Sequence, residues 1–152
     1  MKNNGHKSLF PAVPLSKCPT GIQGLDEITG GGLPRGRPTL VCGGAGCGKT
    51  LFAVEFLVRG AVQFGEAGVF MSFEETDKEL QANVASLGFD LVGLARRKKI
   101  QLEYVRIERS EITETGDYDL EGLFVRLNHA IDSIGAATID DLVRDLSQPR
   151  QR

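Results

Sequence analysis

Thr39-Leu40-Val41-Cys42-Gly43-Gly44-Ala45-Gly46-Cys47-Gly48-Lys49-Thr50 is the stretch from which the fold is read. Its first four residues are a short apolar run beside glycines, the pattern of a fully buried parallel strand. The next eight fit G-x-x-x-x-G-K-[ST]. After Thr50, the apolar residues Leu51, Val54, Val58, Ala61 and Val62 recur at spacings of three and four, with Glu55, Arg59 and Gln63 between them. That is an amphipathic helix. A glycine-rich turn between a strand and a helix start brings backbone N–H groups together at the positive helix end, where they cradle phosphate oxygens. Glycines allow positive φ and close backbone approach, Lys49 supplies a charge for the β- and γ-phosphates, and Thr50 offers its hydroxyl to Mg²⁺. The stretch therefore implies a nucleoside triphosphate site.

Upstream, residues 1–16 are polar and proline-punctuated, and they read as a loose arm. A helix-like stretch from Ile22 to Ile28 then runs into Gly30-Gly31-Gly32 and Leu33-Pro34-Arg35-Gly36, which is turn chemistry before a strand. Downstream of the first helix, Gly65 and Gly68 close it, and Val69 to Phe73 reads as a second buried strand. Thr76 and Glu79 form a capping box opening a helix whose Leu80, Val84 and Leu87 share a face, closed by Gly88. Ile100 to Val105 reads as a third strand and Glu108 to Gly116 as an exposed loop. Leu120, Leu123, Phe124, Leu127, Ile131 and Ile134 mark a last helix. Strands alternating with helices predict an α/β fold, a mostly parallel sheet with helices packed on its faces.

At 152 residues the chain has the length of one domain. A formal net charge of −2 provides no global positive field for nucleic acid or an anionic membrane. No run of 18 apolar residues suits a bilayer span. Three cysteines, 18, 42 and 47, have no paired spacing, and the N-terminus lacks the pattern of a secretion signal, so reduced thiols and a cytoplasmic location are expected. The histidines at 6 and 129 have no metal-ligand spacing with the cysteines. Cys47, inside the loop and beside Lys49, reads either as a small spacer or as a redox-sensitive thiol. Arg96-Arg97-Lys98-Lys99 is a compact basic cluster without aromatic interleaving, the reading of a solvated helix end rather than a nucleic-acid surface.

Glu74 and Glu75 directly follow the strand ending at Phe73, at the end of a parallel sheet where ligand crevices form. A carboxylate there can polarise an attacking water, although acids also favour a helix's first turn for electrostatic reasons alone.

Taken together, TGIQGLDEITGGGLPRGRPTLVCGGAGCGKTLF and GVFMSFEET resemble the KaiC family of the RecA-like ATPases, which includes the cyanobacterial circadian clock ATPase. The likeness runs from about residue 19 to 135 and is collinear. It implies a RecA-like P-loop NTPase core over residues 17–135 that binds ATP with Mg²⁺. It also implies a nucleotide-binding set of Gly43, Gly44, Ala45, Gly46, Cys47, Gly48, Lys49, Thr50 and Leu51, with Thr50 at the metal and Glu74 and Glu75 as the catalytic pair. In the family such domains form homo-oligomeric rings and meet regulatory protein partners.

Family members continue past the last helix into an apolar strand closed by an aspartate. Here Ala136 to Ile139 before Asp140 is a poor strand, whereas Thr138 and Asp141 fit a capping box with Ile139, Leu142, Val143 and Leu146 on one helical face. Residues 136–152 therefore read as a divergent helical or disordered tail, and the core as incomplete at its C-terminal end, a truncation being the simpler account. Unpaired edges in such a sheet favour self-association. Three functional readings remain open: a slow ATPase with a clock-type regulatory role, a nucleotide-binding module without turnover, and a RecA-like DNA-repair ATPase.

Overall fold

In the computed structural model, residues 15–106 and 120–136 are described. The chain runs β1 (Lys17–Cys18), α1 (Leu25–Ile28), β2 (Leu33–Pro34), α2 (Lys49–Arg59), β3 (Gly68–Ser72), α3 (Asp77–Ala85), α4 (Leu91–Arg96), β4 (Ile100–Tyr104) and α5 (Leu120–Ile134). β3 and β4 pair in parallel, Gly68 opposite Ile100 and Ser72 opposite Tyr104. Helices α2 and α5 both pack on β3, and α3, α4 and α5 pack on β4. This is the expected mixed α/β arrangement.

The core follows the helical spacing. Val54, Val58 and Ala61 from α2 and its extension meet Leu80 and Val84 of α3, Leu91 and Leu94 of α4, and Ile100 and Leu102 of β4. Each valine, leucine and isoleucine among them stabilises the fold by roughly 1.5–3 kcal/mol through its removal from water, and Ala61 by less. Five positions leave the expected faces: Leu51 at the start of α2 and Leu120 and Phe124 in the first turns of α5 face solvent, as do Val62 and Leu87. α2 does not continue regularly beyond Arg59: residues Gly60–Phe64 form a π-helical turn that ends at Gly65 with φ 72°. The wider turn shifts the register, so Val62 is 67% exposed instead of joining Val58 in the core. α3 stops at Ala85, and Leu87, expected on its buried face, is 52% exposed.

The strand expected over Thr39–Cys42 is not formed. Residues 38–44 have no regular structure, and Leu40 is 87% exposed. A strand is defined by its ladder, and among the described residues none lies beside this segment to exchange hydrogen bonds. Among the described residues β3 likewise has a partner on one side only, and its residues are half-buried where full burial was expected. A groove of about 460 Å³ separates the two, walled by Val41, Phe52, Phe56, Val69 and Met71.

A small ribbon missed by the sequence reading, β1 antiparallel to β2, anchors the segment leading to the loop. Gly32, at φ 109°, makes it close: a Cβ there would collide with the Cys18 carbonyl. Behind the ribbon, Thr20 is fully buried and gives both its backbone N–H (2.9 Å) and its hydroxyl (2.7 Å) to Asp26 Oδ1, while the Gly21 N–H reaches Oδ2 at 3.0 Å. These donors, chiefly those of Thr20, hold the Asp26 carboxyl below its ordinary pKa. The loop expected over 108–116, the aspartate at Asp140 and the tail helix lie outside the described residues.

Candidate nucleotide site

Gly48 ends the loop and caps α2. Its φ of 88° is one that a glycine adopts without strain, and it has no side chain to bond the helix's first amides. The N–H groups at the start of a helix have no intrahelical acceptor. At Lys49, Thr50 and Leu51 they are consequently available to an anion, which is the physical basis for including Leu51 in the binding set. The first helical hydrogen bond runs from the Phe52 N–H to the Gly48 carbonyl at 2.9 Å.

Lys49 folds back over the loop. Its ammonium donates to the carbonyl oxygens of Gly43 and Gly44, both at 2.9 Å, and lies 3.8 Å from the Cys47 sulfur. A further backbone bond from the Cys47 N–H to the Gly44 carbonyl, at 3.4 Å, closes the turn across Ala45 and Gly46. Every residue from Gly43 to Leu51 is exposed. The loop is thus a formed but open cradle, its lysine held by carbonyls that phosphate oxygens can replace.

For Mg²⁺, the donor set near the loop is sparse. Among the described residues, the Thr50 hydroxyl makes no hydrogen bond, and no group of three or more His, Cys, Asp or Glu side chains is placed to hold a metal. One free hydroxyl beside a phosphate cradle suits a cation that retains several waters and takes its remaining ligands from phosphate.

The glutamates differ from each other. Glu75 is half-buried; its N–H bonds Ser72 Oγ at 3.1 Å, and its Oε2 accepts from Asn83 Nδ2 of α3 at 3.2 Å. Glu74 is exposed and makes no hydrogen bond or ion pair among the described residues. Among the described residues, neither shares a hydrogen bond or ion pair with Gly43–Leu51.

The capping box holds this corner, with Thr76 N–H and Oγ1 donating to Glu79 Oε2 at 2.8 and 2.7 Å. Asn83 was invisible to motif reading because its role depends on a helix bringing it eight residues back. Asp77 was missed as well. Partial burial, with the nearby Glu103 adding to it, pushes the Asp77 carboxyl above its ordinary pKa. Glu103 itself meets Arg126 at 3.6 Å.

A parallel strand pair flanked by helices, with a glycine loop and lysine at a helix start, defines a P-loop ATPase domain. A family model described as the KaiC ATPase matches residues 18–148, and the chain belongs to that family. It is 64% identical over 128 residues to the circadian clock protein KaiC2 of Synechocystis, covering 84% of this chain and 22% of that protein. To the circadian clock oscillator proteins KaiC of Prochlorococcus marinus and Synechococcus elongatus it is 41% and 40% identical, over 78% and 82% of this chain and 24% of each relative. The chain thus spans under a quarter of the length of these relatives. Among the described residues, no helix is long and apolar enough to cross a membrane.

Proposed function

We propose that this domain binds MgATP through Gly43–Leu51 and hydrolyses it slowly. The observation that carries the reading is the Lys49 ammonium over the Gly43 and Gly44 carbonyls, at the start of a helix whose amides have no side-chain cap. Phosphate oxygens would exchange for those carbonyls, gaining the lysine charge and the amides of Lys49, Thr50 and Leu51 together. Thr50 would hold Mg²⁺, which when bound neutralises charge on the phosphates.

Of the two carboxylates, Glu74 is the one free to accept a proton from water. Glu75, tied to Asn83, acts as a positioning residue that fixes the backbone of the 73–76 turn. In phosphoryl transfer the protein mainly aligns the nucleophile and offsets charge, so one free base near the γ-phosphate suffices. Phosphate release by the chain against Glu74→Ala/Glu75→Ala tests this. Loss of release with retained nucleotide binding is expected, and an unchanged rate would remove the assignment.

A homo-oligomeric ring, regulatory protein partners and a clock-type role are proposals as well. The clock-type role is supported by the names of the relatives, which are circadian clock proteins; the ring and the partners are expectations carried over from the family. A nucleotide-binding module without turnover is the second reading. It is favoured by the absence, among the described residues, of an acidic cluster able to share a metal with Thr50.

A further inference from the structure

The basic cluster at 96–99 ends α4 and is largely exposed, as expected, but it also has a concave setting. Three of its members, Arg97, Lys98 and Lys99, line a cavity of about 570 Å³ together with Arg35, Gly65, Glu66 and the C-terminal end of α5 at Gly135. Glu66 and Lys99 lie just before β3 and β4, so the cavity sits at the N-terminal ends of the two parallel strands. Glu74 and Glu75 follow the opposite, C-terminal end. α2 and its π turn also separate the cavity from the phosphate loop, roughly 20 Å at about 1.5 Å per residue.

We propose that this cavity is a second anion site, one that takes a small polyvalent phosphate such as a pyrophosphate or the diphosphate of a nucleotide. Four cations line it against one carboxylate, in a chain whose overall charge is −2. The cations are not consumed by internal pairs. Glu66 meets Arg35 at a long 3.5 Å, with both side chains partly exposed. Lys99 spends one donor on the Gly65 carbonyl at 3.1 Å, and no carboxylate among the described residues pairs with Arg97 or Lys98.

Lys98 sits at φ 54°, the sole non-glycine with positive φ among the described residues. Its N–H bonds the Ala95 carbonyl at 2.9 Å and that of Lys99 the Leu94 carbonyl at 2.9 Å, so the turn after α4 is fixed by backbone and carries its three cations into one wall. Guanidinium forks and ammonium groups arriving from separate segments match an anion with several tetrahedral oxygens. The volume is that of a small-molecule site. No aromatic side chain lines it to stack a base, which disfavours single-stranded nucleic acid.

The test uses the full chain carrying Lys49→Ala, so that the phosphate loop keeps only its backbone amides, titrated calorimetrically with sodium pyrophosphate at low ionic strength. Saturable one-to-one binding is expected, weakened about tenfold or more when Arg97→Gln and Lys98→Gly are added. Glycine suits φ 54°, so the added variant keeps its fold, and an unlowered thermal midpoint verifies this. No saturable binding by the Lys49→Ala chain, or equal affinity in the added variant, would overturn the site. A single-stranded oligonucleotide binding more tightly than pyrophosphate, and lost in the same variant, would overturn the small-ligand assignment in favour of nucleic acid. Failure here leaves the phosphate-loop reading intact, because Lys49 is absent from every arm.

Discussion

Lys49 Nζ lies 2.9 Å from the carbonyl oxygen of Gly43, six residues earlier, so the nucleotide loop carries its own cation folded inward. The same ammonium reaches Gly44 and approaches the Cys47 sulfur. The loop's carbonyls satisfy the lysine, and a phosphate binding there would compete with them for the same ammonium. Nucleotide should therefore loosen the contact between Lys49 and Cys47.

That exchange can be read from thiol chemistry. Cys42 and Cys47 are exposed, whereas Cys18 is buried. Burial first, and then the Glu66 carboxylate 3.9 Å away, hold the Cys18 thiol above its ordinary pKa. Titration with an aromatic disulfide at neutral pH should show two fast thiols and one slow one, and MgATP should protect Cys47 alone. Equal rates for all three would contradict the described packing.

Gly48 tests the loop's backbone. At φ 88° an added Cβ is strained, so Gly48→Ala should cost about 1–2 kcal/mol in stability, read as a lower denaturant midpoint. Nucleotide affinity should fall with it. An unchanged midpoint would mean that the turn is not held as described.

The Thr20–Asp26 hydrogen bonds predict a signed pH dependence. Asp26 has a lowered folded pKa, so the stability it contributes is present above the ordinary Asp value of 3.8 and is lost as pH falls through the folded value. Asp26→Ala should lower the thermal midpoint at pH 7, and the gap to the parent chain should close in strong acid. Asp77 has the opposite sign. Its raised folded pKa makes the ionised form a cost that grows as pH rises through that value, so Asp77→Asn should raise the midpoint at pH 7 and have no effect well below 3.8.

Asn83 distinguishes the two glutamates. Asn83→Ala frees Glu75 without touching Glu74. If Glu74 is the base, Glu74→Gln should lower turnover by about 10²–10⁴-fold, while Asn83→Ala should lower it by a smaller factor and leave nucleotide affinity unchanged. Equal losses would assign the proton transfer to Glu75.

Much of this was legible from the chain. The capping box at Thr76 and Glu79, the buried trio Val54, Val58 and Ala61, and the helical start at Lys49 are local patterns, and local patterns survive folding. What failed was pairing. Leu40 and Val41 have the composition of a buried strand, but a strand requires neighbours, and composition does not supply them. Val62 failed for a subtler reason, since a π turn changes the period on which the face was counted. The cavity joining Arg35 to Arg97 and Lys98 could not be read either, because sixty or so residues separate its walls along the chain and no short motif spans them.

Binding of MgATP by Gly43–Leu51, with Lys49 as its charge, is the proposal on which the rest depends. Calorimetric titration of MgATP into the chain and into Lys49→Ala tests it directly. Saturable binding by the parent chain is expected, with affinity roughly tenfold weaker or more in the variant, the loss that follows when a charge-assisted contact to phosphate is removed. Equal affinity in the two chains, or no binding by either, would contradict it.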